Sequence, residues 1–149
     1  MSIISLYENT ADKLNSKAEG LGFLSPNLWL RLAVALVFFK SGLTKIGNMQ
    51  TTVFLFEHEY KVPLLDPTIA AYLGTWAELI LPVLLAVGLL TRLSAFALFG
   101  FNLVAVISYL HGLNTWGYVD HALWGFMLLS IMFFGAGKIA LDQLIFKRH

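Results

Sequence analysis

Apolar residues in this chain gather into four long runs, parted by short breaks rich in Gly, Pro, Asn and charge. Each run is close to the ~20 residues of helix that cross a ~30 Å hydrocarbon core. The pattern predicts spans over about 27–47, 68–90, 93–110 and 118–134. Ser25-Pro26-Asn27 reads as the cap that opens the first span, and Thr91-Arg92 as a tight turn between the second and third. Ahead of the spans, Ile3, Ile4, Leu6, Tyr7, Ala11, Leu14 and Ala18 recur at helical spacing, with Glu8, Asp12, Lys13, Lys17 and Glu19 elsewhere. That stripe predicts an amphipathic helix lying in the membrane interface. Phe54, Phe56 and Tyr60 predict a second, shorter interfacial helix in the first outer loop, ended by Val62-Pro63 and Asp66-Pro67. The expected organisation is an interfacial segment (1–26), a bundle of four transmembrane helices (27–138) and a cytoplasmic tail (139–149). The fold class is therefore all-α, an integral membrane four-helix bundle.

Composition supports the bilayer as solvent. Hydrophobic residues make up 58% and charged residues 13%, against about 45–50% and 25% in ordinary globular domains. Mean hydropathy is +0.73. The net charge of +1 and the lack of a basic face interleaved with aromatics argue against nucleic acid as a partner. No Cys is present, which excludes disulfides, thiolate nucleophiles and Cys-ligated metal centres. The first residues lack a basic stretch followed by a continuous apolar core, so they do not read as a signal peptide. With four spans, Lys13, Lys17, Arg31, Arg92, Lys138, Lys147 and Arg148 share one side, against Lys40, Lys45 and Lys61 on the other. The excess predicts that both termini are cytoplasmic.

Charges inside a span cost at least about 2.5–3.5 kcal/mol on insertion scales, so each needs a partner, a cavity or a route to the headgroups. Arg31 and Arg92 lie near span ends, where long stems snorkel, and read as topology anchors. Glu78 has no such route. It lies about ten residues into its span, roughly 15 Å deep at 1.5 Å per residue, and is either protonated or paired. Lys40 and Lys45 of the first span both compete for it; depth favours Lys40, and a flexible stem keeps Lys45 in contention. Asn102 lies at the depth of Glu78, with Tyr109 on the same face, and His121 and Trp124 open the fourth span. Pro82, one turn after Glu78, withholds an N–H from its carbonyl and predicts a kink beside the acid, with Trp76 as an aromatic wall. Gly42, Gly74, Ala77 and Gly88 would let helices approach closely around it.

An outward-facing cluster of Lys45, Glu78, Asn102, His111, Asp120 and His121 follows as a geometric expectation, with Glu78 as its proton donor or acceptor. The competing reading is an ion pair that only fixes helix register. Glu57-His58-Glu59 shares that side, but no two histidines have a fixed i, i+3 or i+4 spacing, and no metal site is assigned.

Several of these stretches together resemble the DoxX family of small four-span bacterial membrane proteins. The resemblance rests on Arg31 followed by FFKSGLTKI, where Gly42 and Lys45 match a G-x-x-K pattern, and on AAYLGTWAELILPVLLAVGLLTR, with its embedded Glu and closing G-L-x-T-R. HALWGFMLL matches H-x-x-W-G, and GAGKIALDQLI matches G-P-G-K-x-S-x-D with Ala136 for Pro and Ala140 for Ser. The resemblance implies a four-helix protein of the bacterial inner membrane. Relatives are tied to thiosulfate:quinone oxidoreductase, to complexes handling oxidative stress or sulfur compounds, and to systems making copper-binding peptides. It thus implies an accessory subunit of a redox system rather than a stand-alone enzyme, with a quinone as candidate ligand in the polar pocket. Candidate binding residues are Lys40, Lys45, Trp76, Asn102, Tyr109, His121 and Trp124. Thiol chemistry imputed to some relatives has no residue to carry it here. The alternatives are a scaffold or partner subunit, including one serving metal-handling systems, and a small-solute transporter acting as an oligomer. Lipid and either a protein partner or further copies of the chain are the expected company.

Overall fold

The computed structural model describes residues 26–145, so the interfacial helix expected over 3–19 and the last four residues lie outside the described residues. Every regular element among the described residues is helical: α1 (Pro26–Gly47), α2 (Met49–His58), α3 (Pro67–Val87), α4 (Thr91–Ser108), α5 (Thr115–Phe134) and α6 (Leu141–Ile145). Helices α3, α4 and α5 are long and apolar enough to cross a membrane. Helix α1 matches them in length but carries Arg31, Lys40 and Lys45.

Local chemistry sets the helix ends. Asn48 opens α2 by accepting from the Thr51 N–H, and Asn114 opens α5 by accepting from the Gly117 N–H. Asp66 caps α3 through the N–H groups of Thr68 and Ile69, with Pro67 at the first helical position. The Asp66-Pro67 pair thus starts a helix, as proline's fixed φ and missing donor allow at a first turn. Gly88 closes α3 in the left-handed region (φ 75°). Helix α3 runs through Pro82 without interruption.

Helix α4 has no cap of its own. Its N-cap residue, Leu90, holds φ 49° and offers no side-chain hydrogen bond. The carboxylate comes from Asp142 instead, which accepts from the N–H of Leu90 at 2.7 Å and of Thr91 at 2.8 Å. Its own N–H donates to Gly88 O at 2.8 Å. The tail is thereby fastened onto the α3–α4 turn. Burial raises the Asp142 carboxyl, but the donors of Thr91 and Leu90 and the nearby Arg31 outweigh it and hold the group below its ordinary value. A depressed carboxylate stabilises the fold above the unfolded pKa of about 3.9, and that contribution is lost as pH falls through the folded value. Asp142→Ala should therefore lower stability by about 0.5–2 kcal/mol, as loss of a helix cap does. The deficit, read by thermal unfolding in detergent, should be present at neutral pH and should shrink under strong acid.

Packing is inverted relative to a water-soluble bundle. Large apolar side chains face outward on every long helix, among them Trp29, Leu36, Ile69, Leu73, Phe96, Ile107, Leu123 and Phe126. Buried between the helices are Arg31, Thr75, Glu78, Thr91, Ser94 and Asn102, with a core of Val34, Phe38, Leu85, Leu98, Leu128 and Ile131. An apolar exterior around a partly polar interior is stable only against lipid. The most extensive pairing is α1 with α3, followed by α4 with α5. A Cβ on Gly42 would stand 3.0 Å from the Glu78 carbonyl carbon, so its absence lets α1 lie against α3 beside the acid.

Candidate functional site

Glu78 is only 4% exposed. Its partner is Lys45, whose Nζ donates to Oε2 at 2.5 Å and to Ser41 Oγ at 2.8 Å; Ser41 in turn donates to Glu78 Oε1 at 3.2 Å. One turn of α1 thus supplies both groups that hold the carboxylate. Lys40 is exposed on another face, because five residues on a 3.6-residue helix carry it well round the axis.

The pair stands on the wall of a cavity of about 480 Å³ between α1, α3, α4 and α5, roofed by α2 and the loop after it. Phe38, Phe56, Tyr60, Phe101, Tyr109 and Trp124 form most of its aromatic lining. They meet edge to face: Phe38 with Phe101 and Trp124, Tyr60 with Phe56 and Tyr109, at centroid separations of 5.0–6.3 Å. Burial, then Tyr109, Glu59 and Glu78, push the Tyr60 phenol above its ordinary value, so it remains a neutral donor. Ser108 is buried on the same wall and its Oγ has no partner among the described residues. Leu65, Leu73 and Val104 line the cavity and are also exposed outside, which opens it toward the surrounding medium between α3 and α4.

His121 and Trp124 close the side formed by α5, their rings 4.8 Å apart. Asn102 lies behind His121 rather than on the cavity wall, bonded to its ring at 2.7 Å and its carbonyl at 2.9 Å. Gly125 packs beside it, and a Cβ there would stand in ordinary contact, 3.5 Å from the Asn102 amide nitrogen. The H-x-x-W-G stretch therefore has a local meaning in its His and Trp: the ring that Asn102 holds and the aromatic wall beside it.

Some expected members are not brought together. Trp76 is 52% exposed, because two residues along a helix from Glu78 is nearly the opposite side. His111 and Asp120 are exposed and line nothing. His58 stacks on Phe54 and meets Phe54 O at 2.9 Å. Among the described residues no three His, Asp or Glu groups gather as metal ligands. Ser41, Ser108, Tyr60 and Phe101 are cavity residues that the apolar pattern alone does not single out.

A second polar cluster lies at the far end of α1. Arg31, expected to reach the headgroups, is fully buried. Its Nη2 donates to Ile139 O at 2.5 Å, while Nε and Nη1 have no partner among the described residues. The tail segment folds over it and removes its route to the surface. Arg92 is exposed and reaches Phe133 O at 3.4 Å.

Apolar helices enclosing a ligand-sized, mainly apolar cavity with a buried ion pair on its wall define a small helical membrane protein. The chain belongs to the DoxX family, which matches residues 27–116. It is also 34% identical over 138 residues to an uncharacterized protein of Haemophilus influenzae, covering 88% of this chain and 90% of that one. No solved structure matches it.

Proposed function

We propose that this protein is an accessory subunit of a redox system in the bacterial inner membrane, and that its cavity binds a quinone. In this reading α1 is a fourth span beside α3, α4 and α5, and the excess of Lys and Arg places both termini in the cytoplasm. The observation that carries the reading is a Lys45–Glu78 pair set into an aromatic cavity that opens between apolar helices. A volume of about 480 Å³ falls in the range of small-molecule sites, about 300–1,000 Å³. Flat aromatic walls suit a planar ring, and the opening beside Leu73 and Val104 suits an apolar tail lying in lipid.

Lys45 has a third N–H to give after Ser41 and Glu78 are served, and it donates this to a carbonyl oxygen of the ring. Glu78 lies one hydrogen bond further back and exchanges a proton through Lys45 as that oxygen gains or loses charge. The test is gentle purification followed by mass spectrometry of co-purifying lipids, quinones and proteins, and titration of Glu78→Gln with a short-tailed benzoquinone. A stoichiometric quinone and weaker binding by a folded Glu78→Gln protein are expected. Unchanged quinone affinity in that variant would sink the reading.

A second reading is favoured by Gly42, which seats the ion pair directly in the α1–α3 contact. There the pair fixes helix register, and the protein organises a larger complex or a homo-oligomer. A stoichiometric protein partner without any quinone is its expected outcome.

A further inference from the structure

The hydrogen-bond pattern around His121, a residue of the cavity lining, determines which of its nitrogens is left as an acceptor. The Asn102 amide meets two groups at once. One terminal atom is 2.9 Å from the backbone carbonyl of His121, which can only accept, so that atom is the amide nitrogen. The other is therefore the oxygen, and it lies 2.7 Å from His121 Nδ1. An amide oxygen can only accept, so Nδ1 carries the proton. The imidazole is neutral: Glu78 is already matched by Lys45, the neighbouring Asp120 is exposed, and an unmatched cation on an apolar wall is costly. A neutral ring with its proton on Nδ1 has a bare lone pair on Nε2. That nitrogen has no hydrogen-bond partner among the described residues, and the ring lines the cavity.

The cavity therefore offers donors, the spare N–H of Lys45 and the Tyr60 hydroxyl, and on the side formed by α5 an acceptor. Ser108 adds a buried hydroxyl without a partner on the same lining. A fully oxidised quinone has acceptors only, and would face the Nε2 lone pair with another lone pair. A hydroquinone has a hydroxyl to donate there, and its second oxygen still accepts from Lys45.

We propose that His121, held in its Nδ1–H tautomer by Asn102, is the hydrogen-bond acceptor for a ring hydroxyl, and that the cavity selects the hydroquinone form of its ligand over the quinone. This rests on the quinone reading above for the ligand class. Asn102 is a positioning residue: it acts through the ring it orients. No electron transfer is required for the recognition step, which is a binding preference alone.

Two measurements test it. The first needs no ligand. Nitrogen-15 spectra of histidine-labelled full-length protein in nanodiscs should show His121, assigned by its loss in His121→Phe, with Nδ1 protonated and Nε2 bare. Asn102→Leu should release the ring to a mixture containing the Nε2–H form, whereas Asn102→Asp, which still accepts from Nδ1, should preserve the wild-type tautomer. An Nε2–H ring in the wild type overturns the proposal. The second titrates a water-soluble, short-tailed benzoquinone and its hydroquinone under anaerobic conditions. The hydroquinone should bind about tenfold tighter, roughly one net hydrogen bond, and the preference should vanish in His121→Phe and persist in Asn102→Asp. Equal affinity for both forms, or a preference for the quinone, overturns this proposal while leaving the quinone reading intact. Binding of neither form overturns both.

Discussion

Replacing Lys45 with Met will destabilise the protein by about 3–5 kcal/mol, because it strands a buried carboxylate. The two ends of this ion pair are not equivalent. The Glu78 side chain is 5% exposed and that of Lys45 is 20% exposed, and only the lysine has a stem that can turn toward water. Glu78→Gln keeps one oxygen to accept from Lys45, its amide nitrogen can donate to Ser41 Oγ, and the volume is nearly the same, so it should cost no more than about 1–2 kcal/mol. Making both positions apolar, Lys45→Met with Glu78→Met, removes the charge from the interior altogether. Stability should then return to near the parent value, since a buried pair replaced by apolar groups of similar size is often neutral. Thermal unfolding of the three variants in detergent reads the order directly. Quinone binding should not return with stability in the double variant. If it does, the charges only fix helix register and take no part in holding the ring. Equal losses in the two single variants would show instead that Lys45 cannot reach water.

The pairing itself shows which structural features are legible in a sequence. Apolar runs mark helices because lipid demands them, and the long helices lie where the runs predict within a few residues. Depth is legible too, since it is only counting at 1.5 Å per residue. Phase around the axis is harder. Counting depth alone favours Lys40 for Glu78, yet Lys45 makes the bond because it follows Ser41 by four residues on the face that Gly42 presses against α3. The same missing coordinate sends Trp76 outward and puts Asn102 behind His121 instead of across from Glu78. The H-x-x-W-G stretch is visible as a pattern, but what its histidine does depends on an amide from another helix.

Contacts far apart along the chain are less legible still. Nothing near Leu90 says that α4 lacks its own cap, because the carboxylate that supplies it is 52 residues away. Arg31 reads as a snorkelling anchor until the tail is seen to cover it. With the fold in hand, the stretches that carry the family resemblance divide between two ends of the bundle. Lys45, Glu78 and the His121–Trp124 wall surround the cavity. Arg31, the turn from Gly88 to Thr91 and the tail to Asp142 meet at the opposite end of α1. The first group has a ligand-sized space at its centre. The second is closed around a guanidinium, and its role is to hold the tail on the turn.

That closed end is where a single methyl group should do the most damage. Gly88→Ala is expected to cost roughly 3 kcal/mol or more, from two independent causes. The first is conformational: Gly88 holds φ 75°, where a side chain costs about 1–2 kcal/mol. The second is space. A Cβ at Gly88 would lie 2.1 Å from Arg31 Nη1, 2.5 Å from Ala140 Cβ and 2.8 Å from Ala140 Cα. The guanidinium is buried and can yield only by giving up Ile139 O. Ala140 can yield only by moving backbone, and the Asp142 N–H bond to Gly88 O would move with it. The tail would then lift, and α4 would lose the carboxylate that caps it. Gly88→Asn separates the causes, because Asn tolerates the left-handed region but brings the same Cβ. It should be nearly as damaging as Ala when both are compared by thermal unfolding, and Asp142→Ala should add little to either, since the cap would already be lost. A mild Asn variant would mean that φ alone matters at this turn and that the tail yields to a methyl group.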